Sequence, residues 1–189
     1  MLHKHSRDVG QHNLLFPPKT HTSPPKTHLP TPQGPHHHQH VIAHAMGVPQ
    51  HKIVCKTKRL GGGFGGKESR ATAVNVLIAP PAWHLRRAIR LVLDRDEDMG
   101  WTGHRHPFYL KYKAGVDASG QVVAVDLELY SNGGNTLDLS IGVMDRALLH
   151  CDSTYNVPNF RVVGRICRTN LPSNTAFRGF GGPQVGLCG

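Results

Sequence analysis

Two clusters of glycine around phenylalanine constrain this chain more than any other feature of its sequence. The first runs through residues 61–66 as GGGFGG, and the second runs through residues 177–182 as FRGFGG. Glycine adopts positive φ and lets the backbone approach a ligand closely. The first cluster is therefore interpreted as an ordered strand-to-helix junction and not as a flexible linker. Phenylalanine between glycines can offer its face to a planar ligand, although the second cluster alone is more typical of a turn with core aromatics.

The first cluster leads into Lys67 and Glu68, where a helix is expected to begin. A helix N-terminus offers free N–H groups and positive dipole, which suit an anionic ligand such as phosphate. Gly61, Gly66 and Lys67 match the G-x-x-x-x-G-K frame of a nucleotide-binding P-loop. That motif needs Ser or Thr at the next position to hold magnesium, and the chain has Glu68 there, so the pattern disfavours a nucleoside triphosphatase.

The remaining pattern predicts an α+β fold with mixed strands and helices. Pro80-Pro81 should end or kink the helix that begins after the first cluster, because proline interrupts helical hydrogen bonding. A β-hairpin is expected around the turn at residues 117–120. The predicted strands span residues 52–58, 88–93, 108–116, 121–130 and 160–168, and the predicted helices span residues 69–79 and 137–151.

The N-terminal segment differs from the rest in composition. Nine of the fifteen histidines and seven of the fourteen prolines lie in residues 1–40. Such a segment buries too little apolar surface to offset its ordering entropy, so residues 1–30 are expected to be disordered and residues 31–189 to form the globular part. The cluster at residues 36–40 could bind a transition metal, but adventitious surface binding is favoured because no cysteine or carboxylate lies nearby.

Charge and cysteine content exclude several classes of protein. The formal net charge is +10, but residues 41–189 carry 18 basic and 11 acidic residues without a basic cluster interleaved with aromatics, so nucleic-acid binding is not expected. Apolar runs are too short to span a membrane. The four cysteines show no CxxC spacing, which is typical of free thiols in a reducing compartment.

Several further segments carry a resemblance to a known family. They are KRL before the first cluster, LDRDEDM (93–99), TGHRHPF (102–108), YSNGGNT (130–136), MDRALLH (144–150) and RTNLPSNTAFRGFGGPQ (168–184). In this order and spacing, the chain resembles the molybdopterin-binding region of the xanthine dehydrogenase/oxidase family of molybdenum hydroxylases, from about Thr31 to Gln184. The resemblance implies a partial molybdopterin-binding domain.

The resemblance also assigns residues to the cofactor. Gln33 falls where the family places a glutamine that hydrogen-bonds an oxygen on molybdenum. Phe64 and Gly65 occupy the loop at the metal site, and Arg178 matches an arginine in a second loop beside it. The expected molybdenum surroundings are therefore Gln33, Phe64 and Arg178, with Gly65 among the cofactor-binding residues.

Three other positions concern the substrate. Phe180 matches the phenylalanine that packs on the substrate ring, and Glu68 and Arg146 match two polar residues that grip a purine. A purine presents N–H donors and carbonyl acceptors, so an acceptor and a fixed cation can orient it. Aldehyde oxidases generally have apolar residues at these two positions. Outside the family context, Glu68 would be read as a helix N-terminal charge and Arg146 as a surface residue.

The implied activity is the hydroxylation of purines, from hypoxanthine to xanthine to urate. The parent family passes electrons through 2Fe-2S clusters to FAD and then to NAD or oxygen, forms homodimers, and is expected in the cytoplasm, with the peroxisome as a second compartment. An aldehyde oxidase-like enzyme and a catalytically dead, truncated binding remnant remain as alternatives.

The chain is expected to be a fragment that is inactive by itself. The glutamate that serves the family as general base has no match here, so no catalytic residue is assigned within residues 1–189. The FAD domain of the family has no match either. The iron–sulfur domains have none, since four scattered cysteines cannot bind two clusters.

Overall fold

The computed structural model describes residues 12–14, 33–57 and 59–186 of the 189-residue chain. The chain divides into two compact units, Met1–Thr102 and Gly103–Gly189. Among the described residues, helices are too short or too polar to cross a membrane.

Two helices form most of the first unit. Its elements are β1 (His12–Leu14), α1 (Pro35–Met46), a 3-10 turn (Gln50–Lys52), α2 (Ala71–Leu85), β2 (Ile89–Leu91) and α3 (Arg95–Trp101). Pro35 occupies the first helical turn of α1, and Gly47 ends that helix in the left-handed conformation that glycine adopts without strain. The buried core joins α1 to α2 through Ile42, Ala43, Ile53, Ile78, Ala79 and Ala82.

The prolines do not end α2 as expected. The helix begins at Ala71 and continues through Pro80 and Pro81 to Leu85. Ile78, Ala79 and Ala82 on either side of the prolines are buried in the core, so packing holds the helix where local propensity opposes it.

One other expectation for the first unit needs correction. The strand predicted over residues 52–58 is absent: Ile53 is extended and buried, but the segment pairs with no strand in the part of the chain that the structure describes. Alternation of polar and apolar residues favours extended backbone, but a strand also needs a neighbouring strand to pair with. β1 pairs antiparallel with β2. The rest of residues 1–30 lies outside the described residues, so the expected disorder of that segment stays a prediction.

The second unit is a three-stranded sheet with helices. Its elements are β3 (Phe108–Val116), β4 (Val122–Gly134), α4 (Ser140–Leu149), β5 (Asn159–Arg168) and α5 (Gly182–Gly186). β3 and β4 form the predicted antiparallel hairpin, and β5 pairs parallel to β4, so α4 lies in the crossover between β4 and β5. The buried core of this unit contains Leu129, Met144, Ala147 and Val185. This mixed sheet confirms the predicted α+β class.

Candidate functional site

The first glycine loop, residues 61–68, is tied to the start of α1 by Gln33. The Gln33 side-chain oxygen accepts hydrogen bonds from the backbone N–H of Gly65 at 2.9 Å and of Lys67 at 3.4 Å. The backbone N–H of Gln33 donates to the Lys67 carbonyl at 3.1 Å. Since the loop uses the amide oxygen of Gln33, its NH₂ group is the end that can donate to a ligand.

Phe64 projects from this loop. Its side chain is 55% exposed. A Cβ on Gly62 would lie 2.6 Å from the Phe64 ring, and Gly62 and Gly65 have φ of +146° and +98°. The ring therefore rests against bare backbone, which requires glycine at position 62 and leaves an aromatic face accessible.

Glu68 closes the same loop. Its backbone N–H donates to the Gly65 carbonyl at 2.9 Å, and its side chain is exposed. The residue lies in a turn ahead of α2, because that helix begins at Ala71 and not at Glu68 as expected. The first unit thus brings Gln33, Phe64, Gly65 and Glu68 together around one loop.

The second glycine loop, residues 177–182, packs against α4. Gly179, Phe180 and Gly181 all have positive φ, at +95°, +46° and +99°. A Cβ on Gly181 would lie 2.3 Å from the Val143 carbonyl oxygen, so only glycine permits this approach to the helix. The loop is a close-packed turn and not a linker.

Phe180 packs against α4, and Arg146 is a residue of the same helix. A Cβ on Gly142 would lie 3.1 Å from the Phe180 ring, so the ring covers α4 at Gly142. Arg146 follows Gly142 by four residues, which places it one turn further along the same helix face. Arg146 is exposed, and the second unit therefore presents an aromatic ring and a cation from one surface of α4.

A role for Arg105 was not predicted from the sequence, although the residue lies in the family-like segment TGHRHPF (102–108). Its guanidinium donates to the Arg178 carbonyl at 2.6 Å and stacks 4.8 Å above the Phe177 ring. Its other terminal nitrogen, Nη1, is buried without a hydrogen-bond partner among the described residues. Arg105 thereby fixes the backbone at Arg178, the residue expected beside the cofactor, and only the 73-residue separation hid this contact.

Comparison with known proteins decides the family. The family model described as the Molybdopterin cofactor-binding domain matches residues 27–188. The chain belongs to this family. Molybdopterin is accordingly the cofactor of the domain, in agreement with the expectation from the family resemblance.

Curated relatives of this molybdopterin cofactor-binding domain are much longer proteins. The chain is 55% identical over 152 residues to xanthine dehydrogenase 1 of Arabidopsis thaliana, covering 80% of this chain and 11% of the relative. It is 58% identical over 146 residues to the xanthine dehydrogenase/oxidase of Felis catus, covering 77% and 11%. The chain thus spans about a ninth of the length of these relatives.

Solved structures share the fold at low sequence identity. An aldehyde oxidoreductase from Desulfovibrio gigas aligns over 94% of this chain and 19% of its own, with a TM-score of 0.76 and 24% identity. Quinoline 2-oxidoreductase from Pseudomonas putida 86 aligns over 92% and 22%, with a TM-score of 0.71 and 22% identity. These likenesses establish the fold of the molybdopterin cofactor-binding domain.

The described residues fit a molybdopterin ligand. Gly65 has positive φ where the first loop bends, and its backbone is accessible because glycine has no side chain. The side-chain amide of Gln33 is held beside it by a hydrogen bond. In the second unit, taken by itself, the buried Nη1 of Arg105 is a donor without a described partner. Backbone amides, a side-chain amide and a guanidinium each suit a polar, anionic ligand. The family resemblance assigns Gln33, Phe64, Gly65 and Arg178 to this cofactor, and these assignments stay predictions.

The histidine-rich cluster lies on a helix of the first unit. Residues 36–40 lie within α1, where His38 is fully buried. Within residues 33–57 and 59–186, no three His, Cys, Asp or Glu side chains come close enough to hold a metal ion.

His106 supports the helix under the second loop. Its Nε2 lies 2.7 Å from the hydroxyl of Ser140, the first residue of α4, and the side chain is 1% exposed. Burial lowers the pKa of His106, and the nearby Asp138 carboxylate partly opposes that effect. His106 therefore acts as a neutral, buried partner of the α4 N-terminus.

Proposed function

We propose that this domain belongs to a molybdenum-dependent oxidoreductase that hydroxylates purines such as hypoxanthine and xanthine. The observation that carries the proposal is the pairing on α4 of the Phe180 ring over Gly142 with Arg146 one turn away. A flat ring beside a guanidinium suits a planar heterocycle that bears carbonyl oxygens. Similarity to proteins named xanthine dehydrogenase supports the same substrate class.

The roles proposed for the polar residues follow from their chemistry. The Glu68 carboxylate accepts a hydrogen bond from a purine ring N–H, and the Arg146 guanidinium donates to a purine carbonyl. Arg146 also stabilises negative charge that develops on the heterocycle during reaction. Phe180 packs on the ring and limits its tilt. Both polar side chains are exposed, so a purine has access to each of them.

The cofactor residues are proposed to act on the molybdenum group from its protein side. When the group is bound, Gln33 would donate its NH₂ to one of its oxygens, Gly65 would offer backbone close to it, and Phe64 and Arg178 would contribute to its surroundings. When bound, the molybdenum centre supplies the oxidation chemistry, which no amino-acid side chain can perform. The chain's own residues position and polarise the substrate.

The partners are also proposals, since the chain spans about a ninth of its relatives. We propose that electrons pass to 2Fe-2S clusters and FAD elsewhere in the protein, and then to NAD or oxygen. A homodimer is proposed as the assembly. The cytoplasm or peroxisome is proposed as the compartment, where the thiols of Cys55, Cys151 and Cys167 would stay reduced. Neither nucleic acid nor a membrane is proposed as a partner.

The test is a comparison of substrates in the complete, molybdenum-loaded protein that contains this domain, because residues 1–189 alone are expected to be inactive. Glu68→Val and Arg146→Leu should each lower kcat/KM for xanthine by about 10- to 100-fold, since each leaves a purine polar group unpaired. Turnover of benzaldehyde, which needs neither group, should change by less than about threefold.

Arg161→Leu is the matched control, because Arg161 is an exposed arginine on β5 paired with Asp126 at 2.7 Å. Equal loss of xanthine and benzaldehyde turnover in the Glu68 and Arg146 variants would contradict the proposal. A wild-type protein that oxidised only aldehydes would favour an aldehyde oxidase, and purine binding without turnover would favour a binding remnant.

A further inference from the structure

A fully buried pair of polar side chains lies behind the first glycine loop. His38 on α1 and Asn75 on α2 are each 0% exposed. The Nδ1 atom of His38 lies 2.6 Å from the side-chain nitrogen of Asn75, and its Nε2 atom lies 3.2 Å from the backbone oxygen of Glu68. His38 therefore links a residue of the helix core to the backbone of the proposed purine-binding residue.

The partners determine the protonation of the imidazole. A carbonyl oxygen only accepts hydrogen bonds, so Nε2 carries the proton that is donated to Glu68. Nδ1 is then the acceptor, and the Asn75 NH₂ donates to it. Asn75 thus selects the one neutral tautomer of His38 that can hold the Glu68 carbonyl.

Apolar packing alone does not account for this pair. Ile42, Ile78 and Ala79 of the same two helices form an apolar core, and burying polar groups beside them is costly unless each is hydrogen-bonded. The hydrogen bonds of the pair offset that cost, and one of them holds the Glu68 carbonyl, 30 residues away in sequence. His38 holds the carbonyl of Glu68, whereas Gln33 holds the backbone N–H groups of Gly65 and Lys67. The two side chains therefore fix different parts of the loop.

We propose that His38, held in its tautomer by Asn75, is a positioning residue that sets the place of Glu68 and so determines the affinity for purines. The proposal rests on the proposed role of Glu68 in purine binding. His38 acts through the backbone of Glu68 and does not itself touch the substrate.

The experiment measures KM and kcat for xanthine and benzaldehyde in the complete, molybdenum-loaded protein that contains this domain, together with amide hydrogen exchange over residues 61–68. His38→Leu should raise KM for xanthine about tenfold, leave kcat within about twofold, and leave both constants for benzaldehyde within about twofold. Exchange at the loop should accelerate in the same variant, independently of turnover.

Three further variants keep the result interpretable. His38→Gln retains an N–H that can reach the Glu68 carbonyl and should restore KM to within about threefold of the wild type. The double variant H38L/N75L removes both buried polar groups, so it should fold stably and still show the raised KM. His40→Leu alters an exposed histidine of the same helix and should change nothing.

The outcomes separate this proposal from the one beneath it. An unchanged KM for xanthine in a folded H38L/N75L protein, or equal losses with both substrates, would overturn the role of His38. A wild-type protein that oxidised aldehydes and no purine would overturn the proposed function itself, and the positioning role with it. Failure of His38→Gln to restore KM while loop exchange returned to normal would also overturn the proposal.

Discussion

The two glycine loops look alike in sequence but are held by different forces. The first loop is tied by hydrogen bonds from side chains of α1 and its start, Gln33 and His38. The second loop is held mainly by steric fit of bare backbone and a ring against α4, at Gly181 and Phe180. Steric fit tolerates almost no added atom, whereas a hydrogen bond can be lost at modest cost. Substitutions in the second loop should therefore act on folding, and those behind the first loop on function.

The largest expected effect is that of Gly181→Ala. The new Cβ would lie 2.3 Å from the Val143 oxygen at a φ of +99°, so strain and overpacking together should cost about 3–5 kcal/mol. Thermal unfolding should show a Tm lower by about 10 °C or more. Gly182→Ala is the control, since a Cβ there meets no described atom within 4 Å. Equal Tm values for the two variants would show that steric fit does not hold the second loop.

Arg105→Met tests whether the second loop also depends on a polar contact. The change removes the donor to the Arg178 carbonyl and the cation above Phe177, and should lower the free energy of unfolding by about 1.5–3 kcal/mol. Arg105→Lys retains the charge but not the planar fork, and an intermediate loss is expected. Denaturant unfolding measures both. No loss in either variant would mean that packing alone fixes this loop.

Gln33→Ala tests the first loop. The variant loses the acceptor for Gly65 and Lys67, so amide exchange at residues 65–67 should accelerate about tenfold while global stability falls by about 1 kcal/mol. Gln33→Glu retains an acceptor oxygen and should preserve slow exchange. A large global loss in Gln33→Ala, comparable with that of Gly181→Ala, would remove the distinction between the loops.

The smallest effect concerns pH. Burial lowers the pKa of His106, so the unfolded chain binds a proton more readily than the folded one. This contribution to stability is complete above the ordinary histidine pKa of about 6.5 and is lost as pH falls through the lowered folded value. Because His106 supports α4, unfolding measured between pH 7 and 5 should show a loss in the wild type that His106→Asn reduces. Identical pH profiles would place the acid sensitivity elsewhere.

Sequence alone predicted what local pattern determines. The hairpin around residues 117–120, the strand β5 and the helix α4 appear where alternation, turn residues and helical spacing indicate them. The glycine loops were also recognisable, because positive φ at Gly65 and Gly181 demands that residue type. Local chemistry and structure agree in each of these segments.

The helix α3 was missed although Asp94 and Glu97 form a local capping box at its start. Several other missed features depend on residues distant in the chain. Pro80 and Pro81 stay helical because α1 packs beside them, and residues 53–57 pair with no described strand despite their alternation. His38 and Arg105 act on loops 30 and 73 residues away. His38 lay in a histidine cluster interpreted as adventitious surface, and only its burial distinguishes it from its neighbours. The residue roles assigned by resemblance remain predictions that the substrate comparison can test.

The crossover between β4 and β5 bears on the order in which the second unit folds. The β3–β4 hairpin closes through a short turn, which Asp117 reinforces by accepting from Ser119 and Gln121, and such hairpins form within about 10 microseconds. Parallel pairing of β4 with β5 must first close the long segment 135–158 that contains α4, which costs more chain entropy. We therefore expect α4 to dock late. The surface that carries Arg146 and receives Phe180 would then be assembled only after the sheet is complete, so it is the last part of the second unit that a newly made chain displays.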